Sequence, residues 1–198
     1  VDNKESITAT TVIVDPVELV ESQPNDNITW EYLRQQRIAW RPGDDAVIFD
    51  VTMYIIIDES LPGSTSEFEE RVLEWPLARG LVREDFNSSR MTIEVQGEEF
   101  YRFLQSELEA SSGDVIRLFK GIDLEVVAGG EELLEYIRLR QANTGITSSQ
   151  ILPIYSNVPG GLGLFTSRSS AVREGLGISG VSRDSLIDGI YTRNLNFR

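Results

Sequence analysis

Thirty-two carboxylates, and neither histidine nor cysteine, define the chemistry open to this chain. The imidazole base, the thiolate nucleophile and the best ligands for transition metals are absent together. Of the 18 basic residues only Lys4 and Lys120 carry an amine able to form a Schiff base or accept a proton. Lys4 lies in a polar terminus and Lys120 sits among strand residues beside Gly121, so neither has the neighbours such a lysine needs. Two carboxylates suffice for glycoside hydrolysis, but that mechanism requires a defined separation, and no two acids here are singled out by spacing. The pairs Asp44-Asp45, Asp58-Glu59 and Glu84-Asp85, and the run Glu67, Glu69, Glu70, offer oxygen ligands to Ca²⁺. None has the spacing of a calcium loop, which leaves solvated acidic turns. Ser167, Ser169 and Ser170 flank Arg168 without a base to activate them.

What remains is recognition. Ser156 to Phe165 places three glycines in four residues ahead of an apolar run, followed by Thr166-Ser167-Arg168-Ser169-Ser170. Gly160-Gly161-Leu162-Gly163 lacks the Lys and Ser/Thr of a P-loop and the G-x-G-x-x-G spacing of a dinucleotide site, so it reads as a shaped turn. Aromatic rings are the other binding currency, as in glycan platforms, although rings in strands and helices are more often core. Trp40 is the clearest core ring. Trp30 and Tyr32, in a polar neighbourhood, and Tyr155, beside the Gly-rich loop, are expected to be exposed. With Asn157 and Arg168 they form the candidate ligand-binding set, and no catalytic residue, metal or cofactor is assigned.

The elements that must position these residues follow from periodicity. Ile7 to Val14, rich in Thr, Val and Ile, reads as an opening strand broken by Asp15-Pro16. Gln36 to Trp40 is extended, and Arg41-Pro42-Gly43-Asp44-Asp45 turns the chain. From Ala46 to Ile57 the residues Val47, Phe49, Val51, Met53, Ile55 and Ile57 share one parity, the pattern of a strand with one buried face. Phe68 to Leu77 and Met91 to Val95 are further strands. Gly97 to Ala110 switches period, with Phe100, Phe103, Leu104 and Leu108 on one helical stripe. Asp114 to Val127 is extended again, with Ile116, Leu118, Ile122, Leu124 and Val126 on one parity and Gly121 as a bulge or hairpin point. Glu131 to Gln141 reads as a second helix, and Ser182 to Arg193 as a short third one capped by Ser182. Between them, Asn143 to Gly180 is dominated by Gly, Ser, Thr and Asn and reads as irregular, with short strands at Ile151 to Tyr155 and Leu162 to Phe165.

The length suits one domain: a core unit over 1–142 and an ordered Gly/Ser/Asn-rich extension over 143–198 packed on it. A net charge of −14 repels phosphate backbones and anionic bilayers, and the basic residues do not cluster with aromatics, so nucleic acid is not an expected partner. No run of 18 apolar residues spans a bilayer. A lipid anchor would have to lie upstream of Val1.

Ile38-Ala39-Trp40, the Pro-Gly turn and Ala46-Val47-Ile48-Phe49-Asp50-Val51 resemble the second and third strands of a fibronectin-III or immunoglobulin-like sandwich, where a buried Trp packs between sheets. The resemblance extends through Asp123-Leu124-Glu125-Val126-Val127-Ala128-Gly129-Gly130, the helical Glu-Leu-Leu-Glu-Tyr-Ile, and Tyr155-Ser156-Asn157-Val158-Pro159-Gly160-Gly161-Leu162-Gly163-Leu164-Phe165. Together these are similar to uncharacterised exported lipoproteins of Bacteroidota that end in Asn-x-x-Gly-Gly-x-Gly-x-Phe after an immunoglobulin-like domain. The resemblance implies a β-rich α+β fold, an immunoglobulin/fibronectin-III-like antiparallel sandwich elaborated with two or three helices. It also implies a location in the bacterial cell envelope, periplasmic or on the outer-membrane surface, and a non-catalytic binding or scaffolding role toward an envelope protein or a glycan. The alternatives are a glycan-binding module using exposed aromatics and a carboxylate-based glycoside hydrolase.

Overall fold

The computed structural model describes residues 7–20, 27–61, 63–64, 66–110, 115–143 and 155–198. Among these residues eight strands form two sheets and three helices accompany them, a β-rich α+β architecture. The smaller sheet has the order β1 (Glu18–Leu19), β3 (Gln35–Arg41), β6 (Met91–Gln96). The larger has the order β2 (Asn27–Ile28), β8 (Arg168–Ile178), β7 (Arg117–Gly129), β4 (Ile48–Ser60), β5 (Phe68–Val82), and it curls into a half-barrel. All pairings are antiparallel except β2 with β8. The chain therefore changes sheet between β1 and β2, β2 and β3, β3 and β4, β5 and β6, and again between β6 and β7.

β4 is the spine of the larger sheet, and its alternation decides which face is buried. Phe49, Val51, Met53, Ile55 and Ile57 point into the core, while Asp50, Tyr54 and Ile56 are only half-buried on the other side. Trp40 of β3 meets Phe49 of β4 with ring centroids 5.7 Å apart, so both sheets share one core. In β7 the expected single parity is broken. Ile55 pairs with Ile122 but Ile57 pairs with Phe119, so an extra residue at Lys120-Gly121 bulges the strand and reverses its facing. Phe119 then packs on the core, and Leu118 is the residue turned away.

Helix α1 (Gly97–Glu107) follows β6 without a linker and inserts Phe100, Tyr101 and Leu104 fully into the core. The abrupt change of direction needs a glycine at position 97, because a Cβ there would overlap the backbone of Glu31. Helix α2 (Glu131–Asn143) packs Leu134 against Val47 and Ile48, a satellite cluster separate from the main core. Helix α3 (Gly180–Asp188) is capped by Ser179 and not by Ser182; the Ser182 amide donates to the Ser179 hydroxyl at 3.4 Å. Ser182 is fully buried, and its hydroxyl accepts the Trp30 amide at 2.7 Å. The Tyr101 hydroxyl donates to the Trp30 carbonyl at 2.8 Å, with the Ser182 carbonyl 3.2 Å away. Burial pushes the Tyr101 phenol up to about 12, which keeps it a donor.

Three expectations about strands are corrected. Ile7 to Val14 forms no strand: the Val14 and Val17 amides donate to the hydroxyls of Ser167 and Ser169 at 2.8 and 3.1 Å, so side chains and not a backbone ladder hold this segment along β8. Arg168 to Ile178, assigned by composition to an irregular region, is β8, an eleven-residue strand between β2 and β7. Leu162 to Phe165 is not a strand; of Ile151 to Tyr155, residues 151–154 lie outside the described residues and Tyr155 is not in a strand. Among the described residues no helix is long and apolar enough to cross a membrane.

Candidate functional site

The five residues singled out by sequence separate into two groups. Trp30, expected at the surface, is 0% exposed, a correction with a clear cause. Its ring stacks on Phe100 of α1 at 5.0 Å with planes 1° apart and lies 5.9 Å from Trp75 of β5, so elements distant in sequence close over it. Tyr32 is half-buried beside Tyr101 and Tyr191, with centroids at 4.9 and 5.8 Å. Burial raises its phenol above the ordinary value. Both precede the start of β3, whereas Asp44 follows its end, a separation of about 20 Å for a seven-residue strand.

Tyr155, Asn157 and Arg168 gather at that far end. Asn157 is the fastener of the Gly-rich loop: its Nδ2 donates to the Phe165 carbonyl at 2.6 Å and its Oδ1 accepts the Phe165 amide at 2.8 Å. An amide side chain thus pairs with backbone as a neighbouring strand would. Ser156 completes the closure, accepting the Val158 and Gly163 amides at 3.3 and 3.2 Å and donating to the Gly161 carbonyl at 3.2 Å. Gly160, with φ of 74°, supplies the left-handed turn. Arg168 is exposed and pairs in register with Gly129, the last residue of β7. Tyr155 is half-buried; burial first, then the negative charges of Glu132, Glu135 and Glu131 in α2, raise its phenol above the ordinary value and keep it protonated.

A loop fastened this firmly displays its remaining side chains in fixed positions. Leu162 is 80% exposed, and Phe165, Ile7, Val12 and Ile13 are exposed nearby. The connections are direct: Ile7 lies beside Gly161, and the Ser167 hydroxyl donates to the Val12 carbonyl at 2.7 Å. Against Val12 opens a cavity of about 420 Å³, also lined by Asp44, Asp45, Val47, Arg83, Phe86, Gly130, Glu131 and Glu132. Sequence reasoning quoted Leu162 and Phe165 without assigning them and overlooked Phe86. An aromatic residue immediately before the polar turn Asn87-Ser88-Ser89 was the available signal, since a turn does not need it.

Replacing Asn157 by alanine removes both bonds to Phe165. Hydrogen exchange at the Phe165 amide is expected to accelerate roughly tenfold, for about 1–2 kcal/mol of local opening, while the global melting transition stays in place. Unchanged exchange would show that Ser156 and the glycines hold the loop alone.

Carboxylates also gather at a second recess, about 550 Å³ in volume, bordered by Glu59, Glu69, Glu70, Arg71, Glu107, Glu109 and Arg117. Glu59 is already engaged: its Oε1 accepts from Arg117 Nε at 2.7 Å and its Oε2 from Arg71 Nη1 at 3.1 Å. Burial pushes its carboxyl up, but the hydrogen bonds and charges of Arg117 and Arg71 outweigh it and hold the group below the ordinary carboxylate value. A glycosidic general acid needs the opposite shift. Among the described residues no three carboxylates converge as a metal site. Comparison with protein-family models, with curated proteins and with solved structures gave no match.

Proposed function

We propose that this chain is a non-catalytic binding or scaffolding component of a bacterial cell envelope, periplasmic or on the outer-membrane surface, that engages a protein partner through the end carrying the Gly-rich loop. The observation that carries the reading is the fixed display of Leu162 and Phe165 beside Ile7, Val12 and Ile13, apolar side chains held outward by a loop whose backbone polar groups are tied down. Clustered exposed apolar groups of this kind mark interaction surfaces. The strand order adds support to an immunoglobulin/fibronectin-III-like sandwich: β1-β3-β6 shares a core with β5-β4-β7-β8, to whose edge the two-residue β2 adds in parallel, and the connections change sheet as in a Greek key. Such sandwiches carry their binding sites on loops at one end, which is where Asn157 to Phe165 lies.

The test is a photo-crosslinking residue placed at position 13, where Ile13 is exposed beside the loop, in native envelope preparations. A discrete crosslinked protein is expected, and it should vanish in a Leu162→Ser/Phe165→Ser variant whose melting temperature matches the parent. An absence of any crosslink, or one indifferent to that variant, removes the reading. Glycan binding abolished by Tyr155→Ala would favour the second reading, for which Tyr155, Asn157 and Arg168 remain grouped.

A further inference from the structure

The geometry points to a basic side chain, lysine or arginine, flanked by apolar residues, as the part of the partner that enters the cavity at the start of α2. This rests on the reading of that end as a protein-binding surface and adds the chemistry of what it accepts. Four carboxylates border the cavity, Asp44 and Asp45 on the turn before β4, and Glu131 and Glu132 in the first turn of α2. Three of them have no cation: among the described residues Asp44, Asp45 and Glu132 make no ion pair, and Glu131 stands 3.9 Å from Arg138. Glu132 accepts only the Thr11 hydroxyl, at 3.0 Å.

The one cation in the lining does not neutralise them. Arg83 is 9% exposed, and its guanidinium is directed at backbone, with Nη1 donating to the Gly43 carbonyl at 3.2 Å and Nη2 to the carbonyls of Phe86 and Ser88 at 3.2 and 3.3 Å. Its Nε has no acceptor among the described residues. The Phe86 ring covers the guanidinium 5.0 Å from its centre and is itself 58% exposed. Arg83 therefore braces the floor and leaves the rim negative. The walls are apolar, formed by Val12, Val47 and Phe86. Apolar walls under an acidic rim match a long side chain with a methylene stem and a cationic head. The exposed Phe86 face also offers a cation–π surface to that head. An anionic ligand would meet four like charges, and a wholly apolar one would strip water from them without replacement.

Selection of phage-displayed twelve-residue random peptides on the immobilised full chain tests this. Enrichment of lysine or arginine between apolar residues is expected, with affinity falling about tenfold in an Asp44→Asn/Asp45→Asn/Glu131→Gln/Glu132→Gln variant and several-fold between low and high salt. The four positions are at or near the surface, so the variant should keep the parent's melting temperature. Peptides lacking basic residues, equal affinity for parent and variant, or no enrichment each overturn the inference. Loss of the position-13 crosslink in the Leu162→Ser/Phe165→Ser variant, with no preference for basic peptides, would overturn it while leaving the protein-binding reading intact.

Discussion

Replacing Trp30 by alanine is expected to lower the free energy of unfolding by about 3–5 kcal/mol, the range for a large aromatic deleted from a packed core. The ring has no exposed surface and touches elements that arrive from three parts of the chain: Phe100 from α1, Trp75 from β5 and, through its backbone, Ser182 of α3. No neighbour can swing in to fill the space, because Phe100 and Tyr101 are themselves fully buried and mutually packed at 5.2 Å. With a urea dependence of up to about 3 kcal/mol/M, the unfolding midpoint should drop by at least about 1 M. Tyr155→Ala, at a half-buried position, should shift it by less than about 1 kcal/mol. An unchanged midpoint for Trp30→Ala would return that ring to the surface and to the ligand-binding set.

The second large effect is expected at Glu59. Glu59→Gln leaves Arg117, whose side chain is 5% exposed, with the Leu195 carbonyl at 2.6 Å and no full counter-charge. Breaking such a pair from one side should cost about 2–4 kcal/mol, below the fully buried range because Glu59 keeps some contact with water. A Glu59→Met/Arg117→Met protein should lose less than the single Glu59→Gln, since it leaves no charge stranded. The pH dependence has a definite sign. The Glu59 carboxyl is held below the ordinary value of 4.5, so its stabilising contribution is present above that pH and is lost as the pH falls through the lowered folded value. Denaturation midpoints measured from pH 7 downward should show this acid-side loss in the parent and a shallower one in Glu59→Gln. Identical slopes would mean that the pair has no linkage to folding.

These two sites illustrate unequal legibility. The alternation of β4, the stripe of α1 and the burial of Trp40 could be read directly, because each depends on residues within one element. Trp30 could not. Its neighbours in sequence are polar, and its burial is decided by helices some 70 and 150 residues later, a tertiary fact without local trace. β8 was hidden for a different reason. Arg168-Ser169-Ser170-Ala171-Val172-Arg173-Glu174-Gly175 has the composition of a loop, since much of it is exposed or half-buried and little apolar patterning is required of it. Ile7 to Val14 erred the other way: strand propensity without a free ladder to join gave an extended segment fastened by two serines. The β7 bulge was foreseen at Gly121 while its effect on parity was not, because one extra residue turns every side chain beyond it to the other face. Of the site, Tyr155, Asn157 and Arg168 came out together because fourteen positions of one loop and strand carry them. The acidic rim of the cavity joins residues 44–45 to 131–132, a meeting that only the fold arranges.

The position of β8 also sets a schedule. β2 has no sheet partner other than β8, and the pairing joins Asn27 to Gly177. The hairpin of β4 with β5 can therefore form between neighbouring segments, yet β2 must wait for a partner about 150 residues later in the chain. Until α3 follows, Trp30 lacks the buried Ser182 hydroxyl that receives its amide. Folding therefore runs from the local β4–β5 hairpin to the distant β2–β8 pairing, and the core around Trp30 closes with the second of these.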